Sequence, residues 1–169
     1  ISKDEYSATQ TAQGIADDVF HGTLDEIYAY FQKMGWSDGA PFCPPTYNKV
    51  KEYLDYTDHA WNETIAVLPA AFRQTTTWHV AVNACMAGCK PEYMPILIAM
   101  TKAMAGGDFR RTLQSTHAWV PYSWLNGPVA RQLGISCGQG EINAEANVAI
   151  SRFMTLALQN LAGYYVGQN

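Results

Sequence analysis

The sequence has 169 residues, of which 48% are hydrophobic and only 15% charged, low against the rough quarter typical of soluble domains. Eleven Lys and Arg against fifteen Asp and Glu leave a net charge of -4, so there is no basic excess to neutralise phosphates and nucleic acid is not an expected partner. Five Trp and ten Tyr supply ample core and exclude disorder. The apolar stretches fall short of the roughly 20 residues a membrane span needs, so no membrane partner is expected either.

The expected elements follow in chain order. Ile15, Val19 and Phe20 fall on one helical face, and Thr23 is placed to N-cap a helix through Leu24, Ile27, Tyr30 and Phe31 that Gly35 stops. Asp38-Gly39-Ala40-Pro41 and Pro44-Pro45 form a stiff extended loop, after which Thr46 caps a short helix with Val50, Tyr53 and Leu54. Thr64 to Leu68 reads as a strand ended by Pro69. A helix from about Thr77 to Ala87 ends at Gly88, and Pro91 with Glu92 opens another through Met94, Ile98 and Met104. Arg111 to His117 and Val120 to Leu125 read as strands. Asn126-Gly127-Pro128 turns into a short helix ended by Gly134, and about Asn143 to Leu161 is the longest apolar-rich helix. The fold class is α+β and helix-rich, a small sheet packed against several helices. One domain spans 1–169, with a helical arm over 1–34. Low charge with many aromatics implies surface buried against another subunit that completes the fold.

Four cysteines, Cys43, Cys85, Cys89 and Cys137, are too few for a disulfide scaffold. No signal-peptide pattern is readable, and a reducing cytoplasm is the expected compartment. Cys89 stands after the Gly88 break and just before a helix N-terminus, beside Lys90, where a thiolate is favoured. The competing reading makes Cys85 and Cys89 small buried residues where two helices meet. Cys137 lies in the glycine-rich Gly134-Ile135-Ser136-Cys137-Gly138-Gln139-Gly140 loop, which presents amides to an anion or simply needs positive φ. Cys43, beside Pro44, reads as structural.

His117 ends a polar strand, where an imidazole suits acid–base or ligand work, although a hydrogen-bonded structural role fits as well. His79 shares a helical face with Asn83 and Met86. Arg131 and Arg152 are expected to be ordered, by Glu141 or Glu145 or by a substrate anion. Asp38 is an acid–base candidate or an Asx-turn residue. The absence of His-x-x-x-His and Cys-x-x-Cys pairs gives no self-contained metal site, though ligands shared between two chains fit the sequence.

Several segments together resemble the UGSC-like (seleno)protein family of prokaryotes. Trp36-Ser37-Asp38-Gly39-Ala40-Pro41-Phe42-Cys43-Pro44-Pro45-Thr46 is similar to its Trp-x-Asp-Gly-x-Pro-x-x-Pro-Pro-Thr stretch, and Met86-Ala87-Gly88-Cys89-Lys90-Pro91-Glu92-Tyr93 to its Met-Ala-Gly-Cys-x-Pro-Glu-Tyr stretch. Thr116-His117, Asn126-Gly127-Pro128, Leu133-Gly134-Ile135 and the helix from Asn147 to Arg152 follow in the family's order. The likeness spans about residues 35–163. The Sec/Cys-Gly-Ser-Cys motif and the family's downstream half are missing, and Ser151 stands where the family has Gly. The resemblance implies a cytoplasmic bacterial or archaeal enzyme whose missing half comes from a second polypeptide.

The functional expectation is therefore one subunit of a hetero-oligomeric enzyme acting on a small molecule. Cys89 serves as nucleophile, redox thiol or ligand and His117 as acid–base group or ligand, in an oxidoreductase or lyase. Asn83, Cys85, Asn126 and Arg131 line the site. One alternative is a metal-dependent lyase or hydrolase with Cys and His ligands shared between chains, and another is a non-catalytic structural or regulatory subunit. No cofactor is evident from the residues.

Overall fold

A computed structural model describes residues 19–69, 71–106, 111–112 and 121–165. Helix α1 (Leu24–Lys33) begins where Thr23 and Glu26 form a capping box, with the Thr23 amide donating to Glu26 Oε2 at 2.7 Å. Gly35, at φ 70°, turns the chain out of it. Phe31 of α1 is buried in the same core as the rest of the molecule, so this part of the expected arm is built into the body. Thr46 caps α2 (Tyr47–Leu54), which buries Val50 and Tyr53.

Strands β1 (Thr64–Leu68) and β2 (Arg73–Thr76) pair antiparallel from Leu68 opposite Arg73 to Thr64 opposite Thr76, with an irregularity between Thr64 and Ala66. β2 is absent from the sequence reading: Arg-Gln-Thr-Thr carries no apolar alternation, and only Thr75 is buried. Thr76 then caps α3 (Thr77–Ala87), which is buried over most of its circumference, from Thr77 and Val80 to Met86 and Ala87. It packs against α2, α4 (Met94–Met104) and α6 (Glu145–Asn160), so α3 is the central rod of the fold. Gly88, at φ 77°, ends it: its amide donates to Cys85 O and that of Cys89 to Ala84 O, both at 3.0 Å, the paired bonds of a Schellman cap.

A 3-10 turn (Pro91–Tyr93) leads into α4. The short α5 (Pro128–Gln132) follows Gly127, and a second 3-10 turn (Glu141–Asn143) precedes α6. The α+β architecture, helix-rich with a small antiparallel sheet against the helices, is as expected.

Three local expectations are corrected. Val19 and Phe20 are not helical, and Ile15 lies outside the described residues. Residues 121–125 form no strand, because Pro121 removes a ladder donor at the start of the segment; Val120 lies outside the described residues. Arg111 and Thr112 are helical rather than extended, and the remainder of that expected strand, His117 included, lies outside the described residues.

Candidate functional site

A cavity of about 450 Å³ opens between α1, the loop before α2, α3 and the end of α6. Helix α3 supplies its floor through Trp78, His79, Val82, Asn83 and Met86, which share one face at helical spacing. Phe31 and Trp36 meet edge-on above it, with ring centroids 5.5 Å apart, and Pro44 and Pro45 form a side wall. Apart from His79 and Asn83 these groups are apolar. Besides the capping Thr46, the polar groups are few: Arg73, His79, Asn83 and Asn160.

Those four are wired together. Thr76 N–H donates to His79 Nδ1 at 3.1 Å. Desolvation lowers the imidazole's pKa, so the ring is neutral at pH 7 and carries its proton on Nε2. Asn83, buried inside α3, donates from Nδ2 to His79 O at 2.9 Å and accepts at Oδ1 from Asn160 Nδ2 at 2.8 Å. Asn160 Nδ2 also donates to Trp36 O at 2.9 Å. Asn160 Oδ1 is buried with no hydrogen-bond partner among the described residues. Arg73 donates to Asn160 O at 2.9 Å and lies 5.6 Å from the Tyr165 ring centroid. Among the described residues, no ion pair engages it. The arrangement suits an organic molecule with an aromatic or aliphatic body and a small polar or anionic head.

The expected site residues do not gather there as a group. Asn83 lines the cavity. Cys85 lies elsewhere on α3, its Sγ 3.8 Å from Cys43 O and 3.9 Å from Pro44 O, and burial pushes its pKa up. Cys89 is 3% exposed and donates from Sγ to Ala149 O at 3.4 Å. Its thiol is pushed up to about 12 by burial, so the expected helix-terminus thiolate is corrected. The helix start beyond it is a 3-10 turn, and the Lys90 ammonium is paired with Glu145 at 3.1 Å. Asn126 and Arg131 are exposed and do not line this cavity. Cys137 is exposed, and the amide of its neighbour Gly138 donates to Glu141 Oε2 at 2.6 Å, so the glycine loop holds the chain's own carboxylate. Among the described residues, no group of three His, Cys, Asp or Glu stands ready to hold a metal ion.

Arg152 and Asp38 pair with each other rather than with the partners expected from sequence. Arg152 Nε and Nη2 donate to the two Asp38 oxygens at 2.8 and 2.9 Å, while Nη1 and Nη2 reach Pro41 O and Ala40 O at 2.8 and 3.0 Å. Asp38 Oδ1 also accepts from the Ala40 amide at 3.1 Å, the expected Asx-turn contact. The guanidinium holds the Asp38 carboxyl below its usual range. This clamp fixes the loop that carries the Pro44–Pro45 wall.

Sequence reasoning found the α3 face through His79, Asn83 and Met86 but missed Arg73 and Asn160. An Asn in the last turn, next to the apolar face of the helix, was the available signal for Asn160. No helix among the described residues is long and apolar enough to cross a membrane. No protein-family model, no curated protein and no solved structure matches this chain.

Proposed function

We propose that this chain is the small-molecule-binding subunit of a cytoplasmic, hetero-oligomeric prokaryotic enzyme, related to the UGSC-like family. The cavity between α1, α3 and α6 takes a ligand with an apolar or aromatic body. One observation carries this reading: an aromatic-walled cavity gathers its polar groups around Arg73, and Asn160 Oδ1 there has no partner among the described residues. The second polypeptide is supported by exposed Tyr122, Trp124 and Ile142, at 78%, 83% and 80% exposure. The Tyr122 and Trp124 rings pack edge-on at 5.2 Å while facing solvent.

Chemistry at Cys89 is the less favoured version of this reading, since its thiol is buried and protonated in the chain as it stands. The same burial favours a second reading, a non-catalytic subunit that completes its partner's fold with Cys89 as a core residue.

The test is a titration with 1-anilinonaphthalene-8-sulfonate, an aromatic anion, on the wild type and on Val82→Trp, which fills the cavity from its floor. Saturable emission in the wild type that Val82→Trp abolishes supports the binding site. Equal emission from both places the probe elsewhere and overturns it. A partner that is fully active without this chain selects the structural reading.

A further inference from the structure

The cavity's proline wall is bordered by two thiols from distant parts of the chain. Cys43 Sγ lies 3.9 Å from Pro44 O, and Cys85 Sγ lies 3.9 Å from the same oxygen and 3.8 Å from Cys43 O. Two sulfurs that share one carbonyl oxygen are separated by less than twice that distance. Both are free. Their accessibility differs: Cys43 is half-buried, whereas Cys85 is fully buried on α3. The Lys49 ammonium of α2 lies near both sulfurs. Glu52, which pairs with Lys49 at 3.1 Å, and the buried Tyr53 complete the charged and titratable surroundings from α2.

We infer that Cys43 and Cys85 form a peroxide-oxidisable dithiol whose disulfide fastens the Pro44–Pro45 wall of the cavity to α3. Cys43 meets the oxidant and Cys85 resolves it. The Cys43 thiolate attacks one oxygen of hydrogen peroxide, the O–O bond breaks, and the departing hydroxide takes a proton and leaves as water, giving Cys43 sulfenic acid. Cys85 Sγ then attacks Cys43 Sγ, the S–O bond breaks, and the hydroxyl leaves as a second water with the Cys85 proton. Two thiols lose two electrons, and one peroxide becomes two waters.

The other cysteines are poorly placed for this step. Cys89 lies beyond the Gly88 break that ends α3, and its thiol is turned away to Ala149 O on α6. Cys137 sits in the exposed glycine loop. A Cys43–Cys85 bond joins the loop before α2 to α3, at a point where the Cys85 sulfur already lies 3.8 Å from Cys43 O. Pro44, Pro45 and Thr46 all line the cavity, so the bond fixes the position of that wall.

The experiment is peroxide treatment of the full chain, blocking of remaining thiols with N-ethylmaleimide, and peptide mapping by mass spectrometry. The expected product has lost two hydrogens, is restored by dithiothreitol, and links Cys43 to Cys85 roughly tenfold in excess of any other pair, as proximity dictates. Cys85→Ala is expected to leave Cys43 as a sulfenic acid that dimedone traps, while Cys89→Ser and Cys137→Ser leave the link intact. A Cys85–Cys89 link, an intermolecular link through Cys137, or Cys43 carried to the sulfonic acid without cross-linking overturns the inference. The mapping needs no variant, so a folding defect in Cys85→Ala does not blunt it. It reads no ligand, so it stands or falls independently of the binding reading.

Discussion

Two arginines abut the last helix of the core, and their surroundings differ. Arg152 is heavily engaged: a carboxylate takes it bidentately, two carbonyls take two more of its five donors, and both charged side chains are only about a fifth exposed, at 22% and 20%. Among the described residues, Arg73 has one carbonyl and one aromatic ring, and the Asn160 whose carbonyl it binds has a buried side-chain oxygen with no partner there. A charge held by a carboxylate and two carbonyls of its own chain is a structural fastening. A charge with a single carbonyl partner among the described residues, at the edge of a cavity, is less tightly held.

The largest effect expected from breaking this contrast is on the fastened side. Arg152→Ala leaves Asp38 partly buried and unpaired and strands two loop carbonyls, and urea unfolding is expected to show a loss of about 2–3 kcal/mol. The pH dependence has a definite sign. The Asp38 carboxyl is held low in the folded state, so its contribution is fully present above the unfolded value of about 3.9 and is lost as pH falls through the lowered folded value. The unfolding curves of wild type and variant therefore converge in acid.

Asn83→Leu comes next. It preserves bulk but strips partners from His79 O and Asn160 Nδ2, and a loss of about 1–2 kcal/mol is expected in the same unfolding experiment. Arg73→Met is expected to leave stability nearly unchanged while weakening the anilinonaphthalene anion about tenfold, roughly 1.4 kcal/mol, by fluorescence titration. If stability falls as far as in Arg152→Ala, the two arginines are alike and the contrast fails. The smallest effect belongs to the exposed Lys90–Glu145 pair: Lys90→Ala should leave the unfolding midpoint unmoved, although the contact is nearly as short as those of Arg152.

His79 adds a second window. Its pKa is lowered by desolvation, so the folded protein resists protonation more than the unfolded chain does. Stability present above pH about 6.5 declines as pH falls towards the folded value, and His79→Gln is expected to flatten that decline.

The same division marks what could be read from sequence. Features decided within a few residues were legible: the Thr23 and Thr46 caps, the Gly88 stop, Pro91 at a helix start, and the α3 face bearing His79, Asn83 and Met86. Features decided across the fold were not. Asp38 meets Arg152 across 114 positions and Asn83 meets Asn160 across 77, pairings that no local period encodes. Strand β2 is held by its pairing with β1 rather than by its own pattern. Cys89 shows a local rule overruled: its place before a helix start favours a thiolate, but Ala149 of α6 closes over the sulfur and desolvation wins.

The loop before α2 hangs on α6 almost entirely by its carbonyls. Gln159 and Asn160 donate to Gly35, Trp36 and Ser37, and Arg152 to Ala40 and Pro41. Carbonyl oxygens are the same in every residue type, so along this stretch the helix reads spacing, with Asp38 as the exception whose side chain is also held. A residue inserted between Trp36 and Pro41 would throw the downstream acceptors out of register with donors fixed about two turns apart on a rigid helix, Arg152 at one end and Gln159 and Asn160 at the other. Trp36, Asp38 and the left-handed Gly39 have demands of their own, but the stretch as a whole cannot grow or shrink: it is constrained as a ruler is, by the intervals between its marks.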